Sequence, residues 1–293
     1  METHPRRMLI FGCGYLGQRV AARWQIAGGA VSAVTRSETR AEEFARRGWQ
    51  PVIADICDPG ALERLPVADV TLFAVGYDRS SGKSQREVYV DGLRHVLNRM
   101  ASQCPQFLYV SSSSVYGQQG GEWVDEDSAC EPTQPGGQCC LEAERLVLDA
   151  YSAAGCAAQV LRLSGIYGPD RLLSRVDALR RQEPLSGSPE SWLNLIQVDD
   201  AATAVLACAE RQVAGRVYLV SDDEPVLRGE YYRHLATLID APPPEFDASQ
   251  PARRGAGGLN KRCRNTRMKY ELGVALQFPS FRVGLSAALP MQG

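Results

Sequence analysis

Short apolar runs alternate with longer amphipathic stretches through the first half of the chain, and this alternation limits the fold more than any other feature. The runs are mostly apolar and continuous rather than alternating, as in strands that are buried on both faces of a parallel sheet. They lie at Met8–Gly12, Ala30–Thr35, Val52–Ala54, Val70–Val75, Phe107–Ser111 and Gln159–Leu163. The stretches between them have helical periodicity, at Leu16–Ala27, Glu38–Arg47, Gln85–Met100 and Gln138–Ala154. This order predicts an α/β fold with a doubly wound parallel sheet.

A glycine-rich turn follows the first predicted strand. Residues 12–17 read Gly-Cys-Gly-Tyr-Leu-Gly, which is G-x-G-x-x-G at the start of the first helix. The first glycine permits the tight turn, the second lets the backbone approach a pyrophosphate, and the third lets helix and strand pack closely. The helix N-terminus then offers N–H groups to the anion. The pattern predicts a Rossmann dinucleotide site, with loop contacts from Gly12, Gly14, Tyr15, Leu16 and Gly17.

The end of the second strand bears on which dinucleotide binds. An NAD enzyme usually presents Asp or Glu there to the adenosine ribose, whereas this chain has Arg36 followed by Ser37. A guanidinium can pair bidentately with a 2′-phosphate, and the serine can add a hydrogen bond. We therefore predict NADP as the cofactor. The alternative is that Arg36 is solvated, Glu38 contacts the ribose and NAD is bound.

The regular alternation weakens after Leu163. Further elements are predicted as a helix at Arg171–Gln182, a strand at Leu193–Val198, a helix at Asp199–Glu210, a strand at Val217–Val220 and a helix at Glu230–Ile239. A chain of 293 residues exceeds the soft prior of ~150 for one domain. We predict a dinucleotide-binding domain over 1–166, to which 191–221 returns, and a smaller substrate-binding part over 167–293.

The charge balance and the apolar runs exclude several classes of protein. The chain has 32 basic and 34 acidic side chains, a formal net charge of -2 that gives no general attraction to nucleic acid or anionic membrane. No apolar run approaches the ~18 residues that would span a bilayer. We therefore expect a small-molecule substrate and no membrane partner. Nothing in the sequence excludes a homo-oligomer.

Cysteine and histidine usage argues against a disulfide framework or a metal site. The nine cysteines form no C-x-x-C pair, and the three histidines are scattered. Reduced thiols fit a cytoplasmic location best. A basic cluster near the end is more consistent with a solvated face than with nucleic-acid binding. Its members are Arg253, Arg254, Lys261, Arg262, Arg264, Arg267 and Lys269.

Several segments resemble the extended or atypical short-chain dehydrogenases/reductases, the group that includes nucleotide-sugar epimerases and dehydratases. Asp55-Ile56 after the third strand resembles the family's adenine-contacting pair, and 74–76, Ala-Val-Gly, is similar to its cofactor-lining turn. Residues 110–117, Val-Ser-Ser-Ser-Ser-Val-Tyr-Gly, resemble the segment that carries the catalytic Ser or Thr. The resemblance implies cofactor contacts from Asp55, Ile56, Ala74, Val75, Gly76 and Ser111. It also implies that Ser112 carries the catalytic hydroxyl.

The resemblance continues toward the C-terminus. Residues 162–169, Arg-Leu-Ser-Gly-Ile-Tyr-Gly-Pro, are similar to the family's R-x-x-x-x-Y-G-P segment, which borders cofactor and substrate. Residues 194–200 resemble the N-x-I-H-V-D-D motif, with Gln197 in place of the usual histidine. The order of these segments is specific for the family but not for a substrate.

The family's Tyr-x-x-x-Lys dyad is missing. Alignment on 144–146, Glu-Arg-Leu, puts Gly136 at the tyrosine position and Cys140 at the lysine position. The three lysines of the chain, at 83, 261 and 269, are preceded four places earlier by Arg79, Gly257 and Asn265. In the family the tyrosine exchanges the proton and the lysine lowers its pKa. Normal catalysis is therefore not predicted.

Two functions remain open at this point. One is an NADP-binding oxidoreductase acting on a small polar or nucleotide-linked substrate, with Ser112 as hydrogen-bond donor and Tyr116, Tyr167 or the thiols of 139–140 as acid. The other is a non-catalytic NAD(P) sensor or regulatory protein, in which the tyrosines only shape the site. The missing dyad favours the sensor, and the retained Ser112 and Y-G-P segment favour the enzyme.

Overall fold

The computed structural model describes residues 4–171, 173–247, 249 and 260–289. The strands are β1 (Arg7–Phe11), β2 (Ala30–Thr35), β3 (Gln50–Ile53), β4 (Val70–Phe73), β5 (Gln106–Ser112), β6 (Glu122–Val124), β7 (Ala157–Leu163), β8 (Gly165–Tyr167), β9 (Leu185–Ser186), β10 (Trp192–Leu193), β11 (Leu195–Gln197), β12 (Arg216–Val220), β13 (Val226–Leu227), β14 (Phe246–Asp247) and β15 (Lys261–Cys263). The helices are α1 (Gly17–Ile26), α2 (Glu38–Arg46), α3 (Gly92–Met100), α4 (Pro135–Ala153), α5 (Leu173–Arg180), α6 (Val198–Glu210), α7 (Arg228–Leu238), α8 (Thr266–Leu272) and α9 (Phe281–Ala288).

The central sheet has seven strands in the order β12-β7-β5-β4-β1-β2-β3. Neighbours around the N-terminal strand pair in parallel, with Met8 opposite Val31 on one side and Val70 on the other. The strand order reverses at β1, so the C-terminal ends of β1 and β4 flank the topological switch point. The predicted doubly wound α/β fold is confirmed.

Burial on both faces explains why the central strands read as continuous apolar runs. Residues 8–11 of β1 and 70–73 of β4 are each at most 1% exposed. Aromatic rings extend across this part of the sheet, with Phe73 6.0 Å from Phe11 and 6.3 Å from Phe107 between ring centroids. These ring contacts hold the C-terminal ends of β1 and β4, and the glycine turn follows β1 directly.

The chain divides into two compact units. Unit 1 consists of residues 1–112, 133–162 and 202–218, and unit 2 of 113–132, 163–201 and 219–293. The core of unit 2 includes an aromatic group in which the Tyr231 ring lies 5.2 Å from that of Tyr232 and 5.7 Å from that of Phe281. The domain bounds drawn from the sequence stay a prediction.

Two predicted elements are interrupted. The helix expected over Gln85–Met100 contains a π-helical turn at Glu87–Asp91 before α3, and a Cβ at Gly92 would lie only 2.9 Å from the Ile56 side chain. The strand expected over Leu193–Val198 is divided at Asn194, whose side chain bonds the backbone of β15 instead. Neither interruption alters the element order. Within the described part of the chain, no helix is long and apolar enough to cross a membrane.

Candidate functional site

The glycines of the turn after β1 have three different environments. Gly12 has a φ of +80°, and a Cβ there would lie 2.3 Å from the carbonyl oxygen of Ala74. A Cβ at Gly17 would lie 2.7 Å from the carbonyl oxygen of Gly12. Gly14 differs, because a Cβ there would come within 4.0 Å of a single atom, the same Gly12 oxygen. Packing therefore requires Gly12 and Gly17, whereas the space beside Gly14 is open to a ligand.

Helix α1 begins directly after this turn. Its N-cap residue, Leu16, is apolar and makes no side-chain capping hydrogen bond. The first N–H groups of a helix have no partner within the helix, and its macrodipole makes this end positive. Beside it, the Arg19 guanidinium lies 4.3 Å from the ring centroid of Tyr15. The helix end therefore has the chemistry that binds a pyrophosphate.

Arg40 contacts the glycine turn from the neighbouring helix. Its Nη2 donates a hydrogen bond of 2.7 Å to the carbonyl oxygen of Cys13. Ser37 is the N-cap of α2 and accepts the backbone N–H of Arg40 at 3.4 Å, which fixes the first turn of that helix. The sequence reasoning missed Arg40, although an arginine in the first turn after the second strand was the available signal. Arg40 is therefore a second cation, in addition to Arg36, in the segment that follows β2.

Arg36, the residue on which the cofactor prediction depends, pairs with an acidic side chain. Its Nη2 lies 3.4 Å from Oδ2 of Asp78, and both side chains are about half exposed, at 51% and 50%. An exposed ion pair contributes at most about 1 kcal/mol. Arg36 can therefore exchange this carboxylate for another anion at small energetic cost.

The predicted adenine-contacting pair lies at the turn after β3. Asp55 Oδ1 accepts the backbone N–H of Cys57 at 2.9 Å. Ile56 is 8% exposed, and its carbonyl oxygen lies 3.0 Å from Nδ1 of His95. Asp55 thus shapes the turn.

The predicted turn after β4 faces the glycine turn. The backbone N–H of Ala74 donates to the carbonyl oxygen of Phe11 at 2.8 Å, which continues the β1–β4 ladder by one residue. Val75 is half-buried, and a Cβ at Gly76 would meet nothing within 4 Å. These residues lie in unit 1 with the phosphate loop, at the switch point of the sheet.

Ser111 takes part in a buried polar network. Its hydroxyl donates to Glu144 Oε1 at 2.5 Å, and Arg162 donates to the same carboxylate through Nε at 3.1 Å and Nη2 at 2.7 Å. The Arg162 and Glu144 side chains are 7% and 3% exposed. This network connects β5, α4 and β7. Ser112 follows at the end of β5 and is half-buried.

The two candidate tyrosines belong to unit 2 and are almost fully buried. Tyr116 is 0% and Tyr167 2% exposed. The Tyr167 hydroxyl donates to the carbonyl oxygen of Ser280 at 3.4 Å, and a Cβ at Gly284 would lie 1.8 Å from that hydroxyl. Burial raises the pKa of Tyr167 well above its ordinary value, and the Asp222 carboxyl raises it further. Tyr167 is therefore a weak acid in this environment.

The positions of the missing dyad lie in the first two turns of α4. A Cβ at Gly136 would meet the side-chain amide of Gln85 at 3.5 Å, an ordinary contact distance. Cys140 is 8% exposed. Gly136 and Cys140 supply neither a phenol nor an ammonium at this point of the helix. Burial raises the pKa of the neighbouring Cys139 thiol.

The side chains of the basic cluster predicted near the C-terminus contact different partners. Arg253 and Arg254 lie outside the described residues. The remaining contacts are Arg267 to Asp127 at 2.6 Å, Lys269 to Asp223 at 2.9 Å, and Arg262 and Arg264 over the Trp123 ring at 4.9 and 5.5 Å. Lys261 is buried. The described members thus do not form one exposed basic surface.

Among the described residues, the thiols and acidic side chains form no cluster that would hold a metal. All nine cysteines are free. Within the ranges that the structure describes, no group of three or more His, Cys, Asp or Glu side chains could bind a metal ion.

Comparison with known proteins agrees with the geometry of unit 1. The chain is 26% identical to a 3-diazoavenalumate denitrifying reductase from Streptomyces sp, in an alignment that covers 95% of this chain and 99% of that protein. A functionally unknown conserved protein from Silicibacter pomeroyi DSS has a solved structure that is 30% identical, with a TM-score of 0.78 and coverage of 97% and 98%.

A more distant structure shares the fold. The UDP-glucuronic acid 4-epimerase of Bacillus cereus, solved with UDP-glucuronic acid and NAD, is 19% identical, with a TM-score of 0.78 and coverage of 96% and 97%. The sequence model of the NAD dependent epimerase/dehydratase family matches residues 8–221, which is most of the chain and contains the phosphate loop. The resemblance inferred from the motifs is confirmed, and the chain belongs to the NAD dependent epimerase/dehydratase family.

Proposed function

We propose that this protein is an NADP-dependent oxidoreductase that reduces or oxidises a small polar substrate without the Tyr-x-x-x-Lys dyad. The observation that carries the cofactor assignment is the pair of arginines at the β2 end of unit 1. Arg36 replaces the acidic residue that would contact the ribose of NAD, and Arg40 is fixed to the phosphate loop at Cys13. Two guanidinium groups near this strand end favour a 2′-phosphate.

In this proposal, residues of unit 1 would contact each part of the dinucleotide. The open space at Gly14 and the N-terminus of α1 would hold the pyrophosphate, Asp55 and Ile56 the adenine, and 74–76 the nicotinamide half. When bound, the nicotinamide supplies or accepts a hydride. Ser112, at the end of β5, would donate a hydrogen bond to the substrate oxygen.

The substrate class proposed is a small polar molecule, with a nucleotide-linked sugar as the alternative. The Bacillus cereus relative of the same fold binds UDP-glucuronic acid, and the Streptomyces relative is a reductase. The Streptomyces reductase is 26% identical to this chain, whereas the Bacillus cereus epimerase is 19% identical. The relative with the higher identity is thus a reductase, and reduction is our first choice.

A redox sensor is the second candidate function, and the missing dyad favours it. A sensor would bind NADPH and NADP with different affinities but would not consume NADPH with any carbonyl compound offered. Calorimetric titration combined with a continuous assay of NADPH absorbance separates the two functions. Measurable NADPH consumption that disappears in a Ser112→Ala variant would support the enzyme.

We expect NADPH to bind at least about tenfold more tightly than NADH, which corresponds to about 1.4 kcal/mol. The Arg36→Glu substitution should remove this preference, because a carboxylate would repel the 2′-phosphate. Arg40→Gln should reduce it by a smaller factor, since Arg40 also bonds Cys13. Calorimetry with both dinucleotides measures the ratio, and equal affinities in the unmodified protein would refute the assignment.

Asp78→Asn is the matched control for this experiment. It removes the charge that pairs with Arg36, while an asparagine oxygen can still accept the Ser80 N–H that Asp78 Oδ1 bonds at 2.9 Å. The NADPH preference should rise in this variant. A fall would mean that Arg36 does not approach the phosphate.

We expect Gly14→Val to weaken dinucleotide binding at least about thirtyfold, or about 2 kcal/mol, with little change in stability. A Cβ there would meet only one protein atom within 4.0 Å, so the branched side chain would extend from a position that is open to ligand. Gly17→Val is the contrasting variant, because its Cβ would lie 2.7 Å from the Gly12 carbonyl oxygen. This substitution should destabilise unit 1. Unchanged binding in Gly14→Val would show that the loop is only structural.

A further inference from the structure

Tyr89 lies outside the segments that resemble the family, yet its hydroxyl reaches the chain beyond β4. The Tyr89 hydroxyl oxygen accepts the backbone N–H of Tyr77 at 3.0 Å. Tyr77 directly follows 74–76, the turn proposed to hold the nicotinamide half of the dinucleotide. The two rings pack edge to face, with their centroids 6.2 Å apart. The Tyr89 hydroxyl is therefore fixed next to the cofactor-lining turn, within unit 1.

The backbone on both sides of this hydrogen bond is held in place. The Tyr77 hydroxyl donates to the carbonyl oxygen of Lys83 at 2.8 Å, which closes the loop between these residues. The helical segment that carries Tyr89 begins just after this loop with a capping box. In it, the Ser84 N–H donates to Glu87 Oε2 at 2.7 Å, and the Glu87 N–H donates to Ser84 Oγ at 3.1 Å. The position of Tyr89 is thus set by the protein before any ligand binds.

Tyr89 belongs to the π-helical turn Glu87–Asp91. Such turns are rare, and they occur frequently at functional sites. The next residue, Gly92, lies so close to Ile56 that a Cβ there would be 2.9 Å from the Ile56 side chain. This part of the helix therefore contacts Ile56, proposed to hold the adenine, and Tyr77, the residue after the nicotinamide turn.

The same helical segment packs along the part of α4 where the dyad is missing. A Cβ at Gly136 would lie 3.5 Å from the side-chain amide of Gln85, and Arg86 donates two hydrogen bonds of 2.7 Å to Glu142. Residues three and four apart lie on one face of a helix, so Tyr89 shares the face of Gln85 and Arg86. A phenol is therefore present beside α4, although position 136 does not supply it.

Tyr89 differs from the other candidate tyrosines in exposure and in hydrogen bonding. Tyr116 and Tyr167 are 0% and 2% exposed, whereas Tyr89 is half-buried. A hydroxyl that accepts the N–H of Tyr77 still has its own proton to donate. Burial raises the pKa of Tyr89, and the Cys140 thiol acts in the same direction, so the phenol stays protonated at neutral pH. Carbonyl reduction requires this form of a general acid.

We propose that Tyr89 is a catalytic residue that donates the proton to the substrate oxygen in place of the missing tyrosine of the dyad. As a hydride from NADPH reaches the carbonyl carbon, the C=O electron pair moves to the oxygen, which takes the phenol proton. The O–H bond of Tyr89 breaks, an alcohol is formed, and water reprotonates the phenolate. Because Cys140 occupies the lysine position, Tyr89 lacks the ammonium that assists the family's tyrosine and would donate more slowly. This inference rests on the proposed function and names its acid.

A fluorine probe tests the location of Tyr89 without relying on turnover. 3-Fluorotyrosine in place of Tyr89 alone keeps the hydroxyl and gives a single 19F NMR signal. The same probe in place of Tyr270, which is 90% exposed, is the matched control. We expect saturating NADP to shift the signal at position 89 and to leave the signal at position 270 unchanged. Adenosine 2′,5′-bisphosphate, which lacks the nicotinamide, should leave both signals unchanged.

Calorimetry on the same samples distinguishes failure of this inference from failure of the proposed function. If NADP binds but the signal at position 89 stays in place, or moves equally with the bisphosphate, the role of Tyr89 is wrong and the cofactor proposal stands. If NADP does not bind, the proposed function fails, and the role of Tyr89 fails with it.

Kinetics with NADPH and 4-nitrobenzaldehyde as the probe test the proton donation itself. Tyr89→Phe keeps the ring but removes the proton, so we expect kcat to fall at least about tenfold while the KM for NADPH stays unchanged. Tyr270→Phe should retain the kcat of the unmodified protein. Equal rates for Tyr89→Phe and the unmodified protein, including no turnover by either, would overturn the proposal.

Discussion

Glu144→Ala is expected to lower the free energy of unfolding by about 3–5 kcal/mol, because it removes one partner of a buried ion pair. Arg162 would keep its charge at 7% side-chain exposure after losing three hydrogen bonds to Glu144, the shortest of 2.7 Å. Ser111 would lose its acceptor as well. Urea denaturation, followed by circular dichroism, measures the effect as a lower transition midpoint with an unchanged slope.

Glu142→Ala is the matched control, two residues earlier on the same helix. Glu142 forms an equally short ion pair of 2.7 Å with Arg86, but the side chains of this pair are 37% and 57% exposed. Exposed pairs contribute only about 0–1 kcal/mol. Both variants make the same change of helix propensity on α4. A loss for Glu144→Ala no larger than that for Glu142→Ala would show that burial of the pair has no energetic weight.

Replacing both charged partners separates the ion pair from packing. A Glu144→Leu variant that also carries Arg162→Met should lose clearly less stability than Glu144→Ala, because both charges of the buried ion pair are removed together. The Ser111 hydroxyl would still lack its acceptor and sets the remaining loss.

The central sheet could be predicted from the sequence because patterns of neighbouring residues determine its strands. Runs such as Val70–Val75 are apolar at every position but Thr71, and burial on both faces is the state that such runs favour. The glycine turn was equally readable, since Gly12 and Gly17 meet steric demands of the strand-turn-helix geometry and Gly14 leaves room for a ligand. Patterns of this kind depend on neighbours along the chain.

The candidate site was less readable because its contacts join distant segments. Arg40 reaches Cys13 across 27 positions, and Glu144 reaches Ser111 across 33. Lys261 appeared as one member of a basic cluster, since composition does not reveal the direction of a side chain. Its burial follows from the pairing of β15 with β6, which are more than 130 positions apart in the chain.

We expect the unmodified protein to reduce simple carbonyl compounds about 10²–10⁴-fold more slowly than an enzyme with general acid–base catalysis. Gly136 has no proton to donate, and Cys140 carries no ammonium that could lower the pKa of a neighbour. Cofactor positioning and the Ser112 hydroxyl would remain. NADPH consumption under saturating substrate tests this, and a kcat above about 1 s⁻¹ would show that another acid supplies the proton.

Single substitutions identify that acid if turnover is fast. Tyr116→Phe, Tyr167→Phe and a double serine replacement of Cys139 and Cys140 each remove one candidate proton. Because burial raises the pKa of Tyr167, its phenol stays protonated below neutral pH. We therefore expect Tyr167→Phe to leave the pH profile unchanged in that range. If none of the three variants slows turnover, the proton comes from elsewhere.

Restoring the dyad tests the same account in the opposite direction. Gly136→Tyr with Cys140→Lys should raise a weak NADPH-consuming activity at least about tenfold, within the range of general acid–base catalysis. A Cβ at Gly136 fits at 3.5 Å from the Gln85 side chain, whereas Cys140 is 8% exposed and the new lysine must find room along α4. The control is Gly136→Phe with Cys140→Lys, which has the same bulk without the hydroxyl. Equal activity of the two variants would mean that the phenol does not reach the reacting atoms, and that the lost dyad is not what limits turnover in this chain.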